Sequence, residues 1–197
     1  MSYSIDALTD NCYPGTSVLI NKFDINDDEQ LQKVEALVVS AKIAQLEQFP
    51  ITGIFDFSHY KAIHRELFCD LYDWAGQVRT VDFSKKGTHF CPALDIENRA
   101  RLIFGRLKEQ DFFQNLSHLD YVTEIVDFYC STNELHPYRE GNGRAQRAFL
   151  TQFIRHFGRD INFSDIDGDL LMVATIQSAS GVNDLLKDIF DKAIIQE

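Results

Sequence analysis

The sequence lacks the features that would tie it to a membrane or to a disulfide-stabilised fold. Its 197 residues contain no apolar run long enough to cross a bilayer, and residues 1–10 show no basic region followed by an apolar stretch of the kind that directs secretion. The four cysteines are scattered, with neither CxxC pairs nor the cysteine–histidine spacing of a zinc site. We therefore expect a cytoplasmic protein with reduced thiols.

Positive charge is also scarce. The chain has 19 lysines and arginines against 30 acidic residues, a formal net charge of −11. This balance argues against general affinity for nucleic acid, since binding a phosphate backbone requires clustered lysine and arginine. Residues 136–159 are an exception, with five arginines and one glutamate. Any anion site is therefore expected to be local, within one soluble domain that spans residues 1–197.

Apolar residues recur at helical spacing along most of the chain, and nothing favours a doubly wound sheet. Helices are predicted from Asp28 to Phe49, from Asp56 to near Gly76, after Pro92, after Ser117, and at about 143–157, 165–178 and 182–195. The expected core-facing residues include Leu31, Val34, Leu37, Val38, Ala41 and Ala44 in the first helix, Leu94, Ile96, Leu102, Ile103 and Leu107 in the third, and Leu119, Val122, Ile125, Val126 and Tyr129 in the fourth.

One segment departs from the helical pattern. Val78, Val81 and Phe83 lie in a short β-type segment, residues 85–87 form a turn signal, and residues 88–90 fit a returning strand. The predicted fold is therefore all-α with a small β-hairpin at about 78–91. It has an N-terminal arm at about 1–27 and a helix–turn–helix unit at about 117–158, with Gly158 placed to end the last helix.

Candidate catalytic groups are concentrated in residues 136–147, which read HPYREGNGRAQR. His136 can be neutral near physiological pH and is therefore able to accept a proton from a hydroxyl. Glu140 is a hard oxygen ligand suited to Mg²⁺, which proteins commonly hold through one carboxylate together with nucleotide phosphates. Both residue types suit a site for phosphate chemistry.

The glycine turn that follows is typical of an anion site at the start of a helix. The backbone N–H groups of Gly141, Asn142 and Gly143, helped by the Asn142 amide, can hold a phosphate. Arg144 and Arg147 are three positions apart, so they share one helical face and can reach further along a polyphosphate. The sequence thus predicts a nucleotide site.

Each of these features is common when it occurs alone. A histidine before proline is often structural, and a glycine–asparagine turn or two helical arginines often belong to an ordinary surface. Their coincidence within twelve residues favours the nucleotide site. The remaining histidines, His59, His64, His89, His118 and His156, are assigned structural roles.

The segment resembles the Fic signature HxFx(D/E)GNGRxxR, with Tyr138 in place of phenylalanine as the one departure. The resemblance extends to residues 12–22, residues 63–76 and the run Arg79–Val81, which are similar to the N-terminal half of bacterial Fic proteins. It implies a Fic-type helical bundle around a central motif helix.

The resemblance also implies an activity, the transfer of AMP from ATP to a Ser, Thr or Tyr hydroxyl of a target protein. It assigns His136 as the base and Glu140 as the Mg²⁺ ligand. Gly141, Asn142 and Gly143 would cradle the α- and β-phosphates, Arg144 would contact the β-phosphate and Arg147 the γ-phosphate. In addition, Lys86, Gly87, Thr88, His89 and Phe90 resemble the family's flap, which docks the target by strand-type pairing; an ordinary surface hairpin is the alternative.

Several alternatives remain open. The related Doc kinases carry lysine at the position of Gly143 and transfer the γ-phosphate, so glycine favours nucleotidyl transfer. Transfer of UMP or phosphocholine, or nucleotide binding by a regulatory protein without transfer, are further alternatives.

The sequence also bears on how the activity of the site is controlled. Many Fic proteins are silenced by a helix of pattern (S/T)xxxE(G/N), and no glutamate in this chain has Ser or Thr four positions before it. The similarity to stand-alone Fic toxins implies that a small separate antitoxin supplies this helix, and that the target is an ATPase subunit of a type II DNA topoisomerase. A free effector is the alternative.

Overall fold

The structure is a computed structural model that describes residues 11–82, 84–85 and 88–196, and it confirms the predicted helical bundle. Seven α-helices lie within these residues. They are α1 (Asp28–Gln48), α2 (Phe57–Phe68), α3 (Ile96–Glu109), α4 (His118–Leu135), α5 (Asn142–His156), α6 (Gly168–Ser178) and α7 (Asp184–Ala193). Short 3₁₀ turns occur at Ala93–Asp95, Asp111–Phe113 and Phe163–Asp165. Across the described residues, no helix combines the length and hydropathy that a bilayer span requires.

Side-chain caps define where several helices begin. Asp56 and Ser117, both predicted as helix starts, accept hydrogen bonds from backbone N–H groups in the first turns of α2 and α4. The α1 helix is capped by Asp27 rather than Asp28, which is already inside the helix. At the other end of α5, Gly158 has φ 79° and its N–H donates to the Arg155 carbonyl, as expected for a glycine that ends a helix.

The prediction that the second helix reaches Gly76 is wrong, because α2 ends at Phe68. The N–H groups of Leu71 and Tyr72 both donate to the Phe68 carbonyl, each at 2.9 Å, which closes the chain into a tight turn. Apolar residues continue through this turn because Leu71 and Tyr72 remain buried. A continuous apolar pattern therefore concealed the end of the helix.

Several residues assigned to the core face solvent instead. Leu37, Leu94, Leu102 and Leu119 are 74%, 94%, 75% and 68% exposed. In α1 the buried residues are Leu31, Val39 and Leu46, so the covered face is rotated from the predicted one. The surface of a helix that its neighbours cover is narrower than the set of apolar residues on it. A leucine beside the covered surface therefore faces solvent.

The α5 helix lies at the centre of the bundle, as the sequence predicts. It packs against α2, α4 and the strand Arg159–Ile161, and its buried residues include Phe149 and Leu150, both with no exposed surface. Phe149 lies within 6 Å of the rings of Phe55 and Phe128. A helix packed on most sides provides a rigid support for the loop at its N-terminus.

Two small antiparallel sheets complete the described fold. The hairpin pairs β1 (Ser84–Lys85) with β2 (Thr88–His89) in the register Ser84 to His89. The first strand thus begins after Val78 and Val81, which were predicted to lie in it, and it includes Lys85, which was predicted in the turn; Phe83 lies outside the described residues. Lys86 and Gly87 lie outside the described residues. The second sheet pairs β3 (Arg159–Ile161) with β4 (Ile194–Gln196) and was not predicted. The last helix ends at Ala193 rather than Ile195, because β4 begins at Ile194. The sequence did not reveal this strand, since three residues are too few to show an alternating pattern.

Candidate active site

The motif loop is fixed by two left-handed residues, one at each end. His136 ends α4 with φ 41° and ψ 61°, and Gly141 precedes α5 with φ 80° and ψ 6°. A non-glycine residue with positive φ is uncommon, and such residues concentrate at functional sites. The loop thus presents His136 at the end of one helix and the N–H groups of the next helix within a few residues.

Asn142 closes this loop from inside. Its side-chain Oδ1 accepts from the Tyr138 N–H at 2.9 Å, and its Nδ2 donates to the Tyr138 carbonyl at 2.8 Å. The residue is only 7% exposed. The Asn142 amide, which we expected to help hold phosphate, is thus engaged in the loop, and the backbone N–H is the group of this residue that we assign to a ligand.

His64 supports the loop from below. Its ring stacks on Tyr138 with centroids 3.7 Å apart, its Nδ1 accepts from the Gly76 N–H at 2.9 Å, and its Nε2 lies 3.0 Å from the Glu140 carbonyl. The Gly76 bond leaves Nε2 as the protonated nitrogen, which then donates to Glu140. Burial lowers the pKa of His64 to about 4 and keeps the ring neutral.

The position of Gly141 requires glycine for a second reason besides its φ angle. A Cβ atom built there would lie 2.2 Å from Cζ of Phe68, which is fully buried beneath the loop. Phe68 also lies under Arg144, with the guanidinium carbon 4.8 Å from the ring centroid. The Phe68 ring thus limits how closely the loop and Arg144 can approach the core.

Glu140 is at the entrance of the site. Its Oε1 accepts from the Gly141 N–H at 2.8 Å and lies 3.3 Å from Nη2 of Arg144. No cluster of three or more metal-binding side chains occurs among the described residues. A single exposed carboxylate fits a cation such as Mg²⁺ that takes its other ligands from phosphates and water, but not one that is enclosed by protein ligands.

The two arginines of the motif differ in their partners. Arg144 pairs with Glu35 of α1 at 2.6 Å and with Glu140, whereas the described residues offer Arg147 no ion pair. Burial lowers the pKa of Arg147, and nearby Arg144 acts in the same direction. Arg147 is therefore a half-buried cation without a carboxylate partner among the described residues, which is the environment expected for an anion-binding group.

Both arginines line a cavity of about 680 Å³ that extends along the exposed side of α5. The C-terminal end of α1, residues 50–53, Phe55 and residues 162–164 form its other walls. The start of α5 carries no side-chain cap within the described part of the chain, so its first N–H groups are available to an anion. Gly143 is exposed at this point, and a Cβ there would lie 3.4 Å from Nη1 of Arg147.

The hairpin approaches the site through Phe90, which follows β2. The Phe90 ring stacks on the His136 imidazole with centroids 3.8 Å apart and planes inclined by 15°. Among the predicted flap residues, Thr88 and His89 form β2, while Lys86 and Gly87 lie outside the described residues. The predicted motif residues thus come together around one loop, with the end of the hairpin against His136.

Three residues that contact the site were not predicted, namely Glu35, Arg79 and His64, the last of which was assigned only a structural role. Each reaches the motif from another element. A sequence signal existed for Glu35, because it lies between the buried residues Leu31 and Val39 at helical spacing and so places a carboxylate on a buried face. Arg79 and His64 belong to runs that resemble Fic proteins outside the motif.

Several proteins of similar sequence are named as protein adenylyltransferases or probable protein adenylyltransferases. A family model described as Fic/DOC family matches residues 54–154. Probable protein adenylyltransferase Fic of Salmonella typhimurium is 34% identical over 92% of this chain and 90% of its own length. Protein adenylyltransferase VbhT of Bartonella schoenbuchensis is 32% identical over 98% of this chain, but this covers 40% of VbhT.

Solved structures show the same fold. The type IV secretion system effector protein BepA matches with a TM-score of 0.88 and 26% identity, over 94% of this chain and 68% of that chain. BepC protein from Bartonella tribocorum, with bound AMPPNP, matches with a TM-score of 0.90 and 24% identity, over 96% of this chain and 98% of that chain.

Proposed function

The chain belongs to the Fic/DOC family, and from this premise we propose that it is a protein adenylyltransferase that moves AMP from ATP to a target hydroxyl. The observation that carries the proposal is the arrangement around the α5 N-terminus. Among the residues that the structure describes, the N-terminus of α5 carries no side-chain cap, Arg144 and Arg147 of this helix line one cavity, and His136 ends the helix that precedes the loop. This arrangement suits a nucleotide whose phosphates lie between the base and the arginines.

In the proposed reaction His136 accepts the proton of a Ser, Thr or Tyr hydroxyl of the target. The hydroxyl oxygen then forms a bond to the α-phosphorus, and the bond from that phosphorus to the bridging oxygen of the β-phosphate breaks. Pyrophosphate leaves and AMP stays on the target. The chain supplies positioning and charge, which account for most of the catalysis in phosphoryl chemistry.

The phosphate-binding roles follow from position along α5. We assign the α- and β-phosphates to the N–H groups of Gly141, Asn142 and Gly143, the β-phosphate also to Arg144 and the γ-phosphate to Arg147. Arg147 supports this order because it lies one helical turn beyond Arg144 and borders the same cavity. Helix dipole and guanidinium charge act together on the leaving pyrophosphate.

Glu140 is the proposed Mg²⁺ ligand. When bound, the ion neutralises phosphate charge and orients the leaving group. Glu140 suits this role because its side chain is about half exposed and faces the start of α5. Arg144 and the Gly141 N–H contact Glu140 in this structure, so the proposed metal ligand lies directly beside the groups that we assign to phosphate.

Gly143 supports transfer of AMP over transfer of the γ-phosphate. A Cβ at this position would lie 3.4 Å from Nη1 of Arg147, an ordinary van der Waals contact, so a lysine here would place a second cation beside this arginine. Gly143 is exposed, and Arg147 borders the cavity. Phosphate, UMP and phosphocholine transfer are outcomes that the experiment below distinguishes.

The hairpin is proposed to dock the target segment by adding a strand to β1 or β2, with Lys86, Gly87, Thr88, His89 and Phe90 as the flap. The contact between Phe90 and His136 supports this role, since it places one end of the hairpin beside the base. Strand pairing uses main-chain groups and selects an extended backbone more than a particular sequence.

The cavity beside α5 supports control by a separate inhibitory protein. Arg144, Arg147 and Arg155 line it together with one carboxylate, Glu47, while Ile43 and Phe163 add apolar surface. These walls suit an amphipathic helix that brings a glutamate to Arg147. We propose that the chain is the toxin of a toxin–antitoxin pair and forms one Fic domain over residues 1–197. We propose an ATPase subunit of a type II DNA topoisomerase as the protein that receives the AMP.

The activity is tested with ATP labelled at either the α- or the γ-phosphate, in the presence of Mg²⁺ and a cell extract. We expect label from the α-position on protein, and none with His136→Ala. The matched control is His118→Ala, which removes a histidine that pairs with Asp191 away from the motif and should retain activity. Label from the γ-position alone would identify a kinase, and the intact mass of the product would distinguish AMP from UMP or phosphocholine.

The control hypothesis has its own experiment. Co-expression with the small protein encoded beside this chain should yield a stable complex with reduced AMP transfer. Arg147→Gln should weaken inhibition by the partner, because it removes the guanidinium that its glutamate would bind. An active chain that purifies without a partner from its native operon would contradict the toxin–antitoxin proposal.

A further inference from the structure

Arg79 is a buried arginine whose hydrogen bonds go to backbone carbonyl groups. It is 5% exposed. Its Nε donates to the His136 carbonyl at 2.8 Å, its Nη1 donates to the Val81 carbonyl at 2.6 Å, and its Nη2 donates to the Cys91 carbonyl. Within the described residues, no acidic side chain is paired with this guanidinium in a salt bridge.

The three carbonyls belong to functionally distinct places. Val81 lies just before β1 and Cys91 just after β2, so one guanidinium holds both ends of the hairpin. The third carbonyl belongs to His136, the proposed base. Two backbone bonds reinforce the junction, from the Arg79 N–H to the Pro137 carbonyl at 2.8 Å and from the Cys91 N–H to the Glu134 carbonyl at 2.9 Å.

The geometry of the guanidinium makes this arrangement difficult to replace. Its donors are fixed in one plane, so three carbonyls bonded to it are held at fixed angles to one another. A lysine ammonium can also donate three hydrogen bonds, but all three come from a single atom on a flexible chain. Burial lowers the pKa of Arg79 below its ordinary value, yet an arginine remains charged at physiological pH.

The bond to His136 acts on a backbone conformation that few non-glycine residues adopt. His136 has φ 41° and ψ 61°, and its carbonyl is turned toward Arg79 while its ring stacks on Phe90. The surrounding contacts must hold such a conformation in place. Arg79 therefore bonds to the backbone of His136 and to both ends of the segment that carries Phe90.

We propose that Arg79 is a positioning residue that fixes His136 relative to the hairpin, so that a hydroxyl on a docked target segment comes within reach of the imidazole. This inference rests on the proposed AMP transfer. Arg79 does not contact the nucleotide site around Gly141 to Arg147 in the structure, so its effect should fall on the chemical step with little effect on ATP binding.

The test compares Arg79→Lys and Arg79→Gln with the wild-type chain. Arg99→Lys is the matched control, because Arg99 pairs with Glu134 near the same junction but through an exposed side chain. We expect Arg79→Lys to lower kcat for AMP transfer on the order of 10²-fold, the loss that follows from a small displacement of a catalytic group. The Kd for ATP should change less than twofold, and Arg99→Lys should leave both quantities unchanged.

Amide hydrogen exchange in the hairpin provides a second measurement that does not depend on activity. Faster exchange at residues 84–91 in Arg79→Lys, with the α5 amides unchanged, is the expected result. Unchanged kcat and exchange would overturn the proposal, as would a parallel loss of ATP affinity and melting temperature, which indicates a general structural role. If the wild-type chain binds ATP but transfers no AMP, the proposed function fails while the exchange measurement still tests the link between Arg79 and the hairpin.

Discussion

The carboxylate of Glu35 lies 2.6 Å from Nη2 of Arg144, so a residue of α1 holds the first arginine of the motif. The Glu35 side chain is only 13% exposed, and the Tyr72 hydroxyl donates to its other oxygen. Burial and the Glu35 contact both raise the pKa of Tyr72, so the hydroxyl stays protonated. Tyr72, Glu35 and Arg144 thus form a chain of hydrogen bonds that ends at the proposed phosphate site.

Removing Glu35 should weaken ATP binding by leaving Arg144 without this support. We expect Glu35→Ala to raise the Kd for ATP about tenfold, which corresponds to about 1.4 kcal/mol. Glu35→Gln should retain most of the affinity, because the amide oxygen still accepts from the guanidinium while the charge is lost. Isothermal titration with ATP and Mg²⁺ measures both values.

Coupling to Arg144 separates this role from general stability. In the Arg144→Gln background, Glu35→Ala should cause no further loss of affinity, since the two residues act as one unit. Tighter ATP binding by both Glu35 variants would contradict the prediction, because it would show that the carboxylate competes with phosphate for the guanidinium.

The hydroxyl of Tyr138 is predicted to destabilise the fold. Tyr138 has no exposed surface, and its hydroxyl has no hydrogen-bond partner in the part of the chain that the structure describes. Tyr138→Phe should therefore increase the free energy of unfolding by roughly 1 kcal/mol, the scale of the desolvation cost of an unpaired polar group. Urea denaturation provides the measurement. Tyr72→Phe is the matched control and should lower stability, because it removes the hydrogen bond to Glu35.

His64 should make stability depend on pH between about 4 and 6.5. Its folded pKa of about 4 lies below the ordinary value of 6.5, because burial disfavours the charged ring. In this interval the unfolded chain binds the proton and the folded chain does not. The free energy of unfolding is therefore highest above pH 6.5 and falls as the pH is lowered, by at most about 3 kcal/mol from this residue.

Denaturation at pH 7.5 and pH 5 in wild type and His64→Gln tests this dependence. The variant should be less stable at pH 7.5 but lose less stability on acidification. His59→Gln is a useful comparison, since burial also lowers the pKa of His59 although the residue lies away from the motif loop. An equal pH slope in wild type and His64→Gln would show that the ring does not remain neutral in the folded protein.

The sequence predicted best what depends on neighbouring residues. The motif loop, the Asp56 and Ser117 caps and the glycine after α5 are local, so spacing and residue type were sufficient to locate them. The outward-facing Leu37 could not be predicted in the same way, because helical periodicity does not show which face a partner covers.

Contacts between elements that are distant in the chain could not be predicted from the sequence either. By residue type alone, Arg79 is an ordinary charged residue beside a hairpin. In the structure its side chain donates to three backbone carbonyl groups. The Asn142 amide was expected to face a phosphate and instead binds the Tyr138 backbone. In both cases the geometry of the closed loop decides the partner, and residue type alone permits either choice.

Gly141 allows the sharpest test of that loop geometry. Its φ of 80° already disfavours a side chain, and a Cβ would lie 2.2 Å from Phe68. Gly158 has nearly the same φ, 79°, but a Cβ there would meet nothing within 4 Å. Gly158→Ala should therefore cost roughly 1–2 kcal/mol of stability from the backbone alone, whereas Gly141→Ala should cost about 1–3 kcal/mol more, the typical penalty of overpacking.

The effect on ATP binding should follow the same contrast. Gly141→Ala must displace the loop that presents the α5 N–H groups, so the Kd for ATP should rise by at least tenfold, while Gly158→Ala leaves it unchanged. Combining Gly141→Ala with Phe68→Leu should restore part of the affinity, because the smaller side chain gives the new methyl group room. If both alanine variants lost affinity equally, the loss would reflect a general effect on the fold and not displacement of the loop by contact with Phe68.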